Sequence, residues 1–426
     1  MFNLKSKKIK NAAWISYFLV QGVSLFSMAP TNFYRPYDVN LKTTDIKNKS
    51  WKFGADIEYG STNNGKNDEE YKSNILNLVN PTESSIAMLT GFQKDSEPWE
   101  IINNLGYVFS APTDDGVRGH LKFKGHFSEM NLNLWGKCKL PIKSIGGRFD
   151  FCVYLPIKNI KINDISRQDL TQDVLAADLY VKEFITNQLD YLVETYGNLD
   201  LSDWSQTGIG DLTFLINWYE DFKQDKEFLK NVRLSIHVGL SAPSAKTKDE
   251  DKVFSLPLGN DGAWGIPVGI GLDLFFISSL RAGLELELLP LLDETRERRL
   301  KIDEAQTDYL ILQKGMATKD FGLTWKFNLY LESFHFYRGL SARASYQFIK
   351  HEDDGLTAKS DDFVYSIINS AESLKEWTSH NFIFQFNYDF FEEFKNSWIK
   401  PQASLFVKLP ITGRKVICPY TCAAQV

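Results

Sequence analysis

"NVRLSIHVGLSA", residues Asn231 to Ala242, alternates without a break. Val232, Leu234, Ile236, Val238 and Leu240 fall on one side of an extended chain, and Arg233, Ser235, His237, Gly239 and Ser241 on the other. An arginine and a histidine backed by an aliphatic row need surroundings that are wet on one side and apolar on the other. The same period of two recurs along the chain. "WKFGADIEY" sets Trp51, Phe53, Ala55, Ile57 and Tyr59 against Lys52, Asp56 and Glu58, and "RFDFCVYLPI" sets Phe149, Phe151, Val153, Leu155 and Ile157 against Arg148, Asp150, Cys152 and Tyr154. Later rows include Ile270, Leu272 and Leu274, then Leu284, Leu286 and Leu288, then Phe382, Phe384 and Phe386. "HLKFKGHF" and "MNLNLW" alternate as well, with a parity slip near Ser128 and Glu129 that reads as a bulge in one long strand.

Alternation suits a soluble β-sandwich as well as a membrane barrel. Connection lengths separate the two. Long segments near 61–117, 159–207, 242–263, 293–320 and 351–379 alternate with short ones, the rhythm of an antiparallel outer-membrane barrel with outer loops and inner turns. If the strand from Trp51 runs outward, so does the one ending near Leu409, and residues from Arg414 onward supply one more inward strand. The expectation is an all-β fold: a closed antiparallel transmembrane β-barrel of about twelve strands, within roughly ten to fourteen, over residues 51–426.

In such a barrel the apolar rows meet lipid and their polar partners line the lumen. That makes Lys122, Lys124, His126, Arg148, Asp150, Asp211, Arg233, His237, Asp273, Arg281, Glu285, Glu287, Lys326, Glu332, Arg343, Asp389 and Lys408 the candidate lumen-lining residues. Trp51, Tyr59, Trp135, Trp218, Tyr219, Trp264, Trp325, Tyr388 and Trp398 lie near strand ends, where an interfacial girdle belongs.

The ends and insertions fit an exported protein. Lys5, Lys7, Lys8 and Lys10 precede an uncharged run from Ala12 to Phe26 and the small residues around Met28, so 1–29 reads as a secretory signal and 30–50 as a periplasmic segment. No apolar run reaches the roughly 20 residues of a spanning helix. "DISRQDLTQDVLAADLYVKEFITNQLDYLVETYG" carries Leu175, Leu179, Leu189 and Leu192 at helical spacing, and "DDFVYSIINSAESLKEW" from Asp361 to Trp377 reads as a second, shorter helix. Cys138 and Cys152 flank the turn at Gly146 almost symmetrically, so a disulfide between them is one of two outcomes the spacing allows. Cys418 and Cys422 suit a local disulfide or two inert thiols.

"TGIGDLTFLINWYEDF", from Thr207, followed by "VRLSIHVGLSAPSA", resembles the outer-membrane proteins of the phenol meta-pathway degradation type, distant relatives of the long-chain fatty-acid transport barrels. The likeness is best from Gly208 to about Leu289. Gly208, Gly210 and Asp211 carry it, while Ser244 stands where that family more often has glycine. It implies a barrel for passage of small, often hydrophobic solutes.

A net charge of -6 argues against general nucleic-acid binding. His126, His237 and Ser235 raise a barrel hydrolase as an alternative, but no G-x-S-x-G or H-E-x-x-H is present. The expected protein is therefore not an enzyme and needs no cofactor or metal. Its expected partners are outer-membrane lipid and a small-molecule solute. It acts as a passive channel or, alternatively, as a plugged barrel serving a surface or adhesive role.

Overall fold

A computed structural model describes residues 51–90, 100, 117–142, 146–276, 279–390 and 401–425. The expected signal and periplasmic segment, at 1–29 and 30–50, and Trp398 lie outside the described residues.

Twelve antiparallel strands close into one barrel. In chain order they are β1 (Trp51–Thr62), β2 (His120–Leu140), β3 (Arg148–Asp169), β4 (Leu212–Lys223), β5 (Asn231–Ala242) and β6 (Val268–Phe275). Then follow β7 (Leu280–Leu289), β8 (Thr324–Tyr337), β9 (Leu340–His351), β10 (Trp377–Asp389), β11 (Gln402–Arg414) and β12 (Tyr420–Gln425). Each strand pairs with its chain neighbour, and β12 pairs with both β11 and β1. That last pairing removes the free edge a sheet would otherwise expose. Six residues suffice for it: Tyr59 faces Cys422 on one side and Val407 faces Cys422 on the other.

The hydrophobic alternation dictates which way each strand faces. Ile236, Leu272, Leu286, Phe384, Leu405 and Val407 are all exposed although strongly apolar, while their chain neighbours Ser235, Asp273, Glu287, Gln385, Ser404 and Lys408 are buried. Apolar side chains outside and polar ones inside invert the ordering of a soluble protein. At one end the strands join tightly. Arg338 and Gly339, both at positive φ, link β8 to β9 in the two-residue hairpin such angles favour, and a Cβ at 339 would meet the Asp389 carbonyl at 2.4 Å.

At the other end, long connections build a folded cap. Helix α1 (Ala176–Gly197) is closed by Asn198 in the left-handed region, with N–H groups of 198 and 199 returning to Glu194 and Val193. Of the apolar residues expected at helical spacing, Leu189 and Leu192 join Leu76, Met88, Phe254 and Leu310 in a core that also includes Phe123, Ile160 and Ile162 of the barrel wall, whereas Leu179 is exposed. A three-stranded sheet of Glu294–Arg299, Lys314–Asp320 and Gly355–Ala358 forms a second layer over its own small core. The segment 361–377 is not one helix. It holds a four-residue turn, Tyr365–Ile368, and a 3-10 turn, Glu372–Leu374. Asn369 stops the first by turning its amide onto both backbone groups of Leu356, each at 2.8 Å.

Two boundaries move. β3 runs to Asp169, ten residues past the expected loop start near 159, because its upper half pairs with Trp204–Ile209 as well as β2. The bulge in the β2–β3 ladder lies between Lys124 and His126, where Asp164 adopts φ 57°, rather than at Ser128 and Glu129.

Candidate functional site

The inner wall of the barrel is the candidate site. On β3 to β9 it carries a continuous set of ion pairs, each set by register. Asp221 of β4 accepts from Arg148 of β3 at 2.8 Å and Arg233 of β5 at 2.9 Å. His237 of β5 stands 2.9 Å from Glu287 of β7, which Lys326 of β8 approaches at 3.2 Å. Arg281 of β7 is wholly buried, donates to Glu332 of β8 at 2.7 Å and lies over the Phe275 and Tyr330 rings. Arg343 of β9 meets the same Glu332 at 2.8 Å and stacks on Tyr330, whose hydroxyl donates to Asp273 of β6. Charges withdrawn from water persist only when they are paired and hydrogen-bonded in this way. The ladder therefore fixes side-chain geometry on this wall.

Strands six apart in a ring of twelve stand across the lumen from each other. Facing the Arg281, Lys326 and Arg343 wall are β1 and β2, with Asp56, Glu58, Glu129, Asn131 and Asn133. Asn133 donates to Asp56 at 2.6 Å and to Glu58 at 2.7 Å. The remaining arc is amide- and hydroxyl-lined: Asn381, Gln385 and Asn387 on β10, Ser404 on β11 and Thr421 on β12, with Lys408 beside Thr421 and a small apolar patch of Ile383, Phe406 and Ala423.

Arg148, Asp150, Arg233, His237, Asp273, Arg281, Glu285, Glu287, Lys326, Glu332, Arg343, Asp389 and Lys408 all lie on this inner face. Asp211 faces inward at the cap end, where its carboxylate accepts the Ala245 N–H at 3.1 Å and the Asn260 N–H at 2.5 Å, tying down the loop after β5. Lys122, Lys124 and His126 are a correction. Their strand neighbours Leu121, Phe123 and Phe127 are buried in the cap core, so the even-numbered side chains here point outward. At this height the wall stands clear of the apolar belt and its interior is itself apolar, which reverses the alternation. His126 lies on the outer surface, hydrogen-bonded to Ser61 at 3.1 Å and to Asn63, well apart in the fold from His237.

The cysteines and part of the girdle are also corrected. All four thiols are free. Cys138 pairs in register with Phe151 and Cys152 with Lys137, so the two sulfurs face opposite sides of the wall. Cys418 is buried and Cys422 exposed, with burial pushing the Cys418 thiol far up from its ordinary pKa. Trp51, Tyr59, Trp264 and Trp325 are exposed outside, but Trp135 and Tyr219 turn inward: Trp135 covers Gly54, and the Tyr219 ring lies 5.1 Å from the Lys137 ammonium. Asp56 and Glu58 were visible as the polar side of the Trp51 row and Asn131 and Asn133 as the polar side of "MNLNLW", while Glu129 fell at the expected parity slip.

No family model and no curated protein matches this chain. Among solved structures it is similar to the COG4313 outer membrane channel from Pseudomonas putida F1, with a TM-score of 0.50 and 10% sequence identity, covering 91% of this chain and 98% of that one. At that identity the likeness is one of fold alone.

Proposed function

We propose that this protein is an outer-membrane channel through which small solutes pass down their gradient. One observation carries the reading: a closed barrel whose outer belt is Leu, Ile, Val and Phe and whose inner wall is charged and amide-bearing. Such a cylinder is stable in lipid because every strand is paired, and its polar wall offers a passing solute charged and hydrogen-bonding partners. The neighbour's description as an outer membrane channel supports the reading, as does the resemblance of the Gly208–Leu289 region to the phenol meta-pathway type. On this reading Arg233, His237, Lys326 and Arg343 with their carboxylates set which charged solutes enter, and the protein is not an enzyme.

Reconstituted protein in planar bilayers tests it. Discrete conductance steps are expected, with cation-to-anion selectivity altered by Arg343→Gln or Asp56→Asn. A second reading, a capped barrel acting as a surface structure, draws on the packed cap that joins α1 to the barrel wall. A tight electrical seal together with unchanged liposome swelling rates would favour it and end the channel proposal.

A further inference from the structure

We propose that the cavity beneath the cap binds an amphipathic organic anion, its charged head on Lys301 and its apolar body against Leu76, Phe254 and Ile349. The proposal rests on the channel reading and names the class of solute that channel would admit.

The cavity has a volume of about 340 Å³ and lies where cap and barrel meet, bounded by Lys326 and Ile349 of the inner wall and by cap segments around Leu76, Phe254 and Lys301. That size suits a small ligand. Part of its lining is apolar: Leu76, Leu78, Val253, Phe254, Ile349 and Trp377. The rest of the lining is rich in basic side chains, and its carboxylates are already committed. Asp261 accepts from Arg296 at 2.8 Å and Arg298 at 2.9 Å, Asp354 from Lys319 at 2.7 Å and His351 at 2.9 Å, Glu250 from Arg296 at 3.0 Å, and Glu372 from Lys415.

Lys301 is different. It is 5% exposed, and its ammonium donates to the Glu304 carbonyl at 3.0 Å, with no described carboxylate paired to it. A carbonyl dipole offsets part of the cost of taking an ammonium out of water but leaves the formal charge uncompensated. Lys248, also on the cavity, spends its backbone on Asp261 and Arg296, and no described carboxylate pairs with its ammonium. An inorganic anion would satisfy these lysines and leave the apolar lining wet. A neutral apolar molecule would do the reverse. A carboxylate or similar oxyanion on a small hydrocarbon or aromatic body satisfies both at once.

Calorimetric titration of the full chain in detergent with octanoate and with octanol tests this, with the heat of adding each to empty micelles subtracted. Octanoate is expected to bind about tenfold or more tightly than octanol, as a charge-assisted contact at Lys301 requires. K301Q is expected to lower octanoate affinity about tenfold without changing octanol, and K301R to retain it, with folding of each variant verified by heat-dependent gel migration. Equal binding of octanoate and octanol by the native chain overturns the proposal even if K301Q fails to fold. Unchanged octanoate binding by folded K301Q overturns it as well, and so does inorganic phosphate binding as tightly as octanoate. Binding is read without a membrane or gradient. A silent bilayer with this selectivity intact would therefore remove the channel reading alone.

Discussion

Placing an arginine on the outer belt gives a depth-dependent cost that can be worked from the register. Val268 pairs with Leu288, which in turn pairs with Trp325, an exposed indole at the cap-side edge of the belt whose N–H reaches Glu352 at 2.9 Å. Leu272 lies four positions further along β6, on the same outward face, between Leu234 and Leu284. Four residues of strand span about 13 Å, and a tilt near 40° converts that to about 10 Å of depth in an apolar band about 25 Å tall. Leu272 is therefore close to the middle of the band. Leu272→Arg is expected to destabilise the folded barrel by about 2–4 kcal/mol and Val268→Arg by about 0–1 kcal/mol. Equilibrium unfolding in guanidinium with lipid vesicles, followed by tryptophan fluorescence, measures both. Equal losses at the two positions, or none at Leu272, would refute the placement of this row in lipid.

Other consequences follow from single contacts. Arg281→Met removes the buried bond to Glu332 but leaves Arg343 on it, so the loss in the same unfolding assay is expected to be about 1.5–3 kcal/mol, short of the cost of a stranded charge. Glu83, in the cap, is buried and its pKa is pushed up to about 8, mainly by loss of hydration. Its folded form holds the proton more tightly than the unfolded form, so stability falls as pH rises from about 4.5 to 8, and Glu83→Gln is expected to remove that fall. Limited proteolysis of the cap at pH 5 and pH 9 reads the effect. Unfolding without reductant is expected to release four maleimide-reactive thiols per chain, and mass spectrometry counts them.

Much of the wall is legible in the sequence because a spanning strand has only two faces, and β5, β6, β7 and β10 repeat the same choice at every step. The number of strands followed from connection rhythm, and α1 from its leucine spacing. What misled was the assumption that apolar always means outward. Leu121, Phe123 and Phe127 are apolar and inward, because β2 and β3 outrun the membrane and enclose a core of their own. A period of two cannot distinguish lipid outside from a protein core inside. The cysteine pair failed on a register one residue away from symmetry. Lys301 carried no signal at all: "RRLKIDEAQ" has neither alternation nor motif, and only the tertiary meeting of cap and wall buries that ammonium beside an apolar cavity.

Spin-label oxygen accessibility along residues 268–275, one cysteine substitution at a time in reconstituted bilayers, tests the inside-out cylinder most directly. Maxima at 268, 270, 272 and 274 with minima between them are predicted. A flat profile, or maxima at 269, 271 and 273, would contradict it.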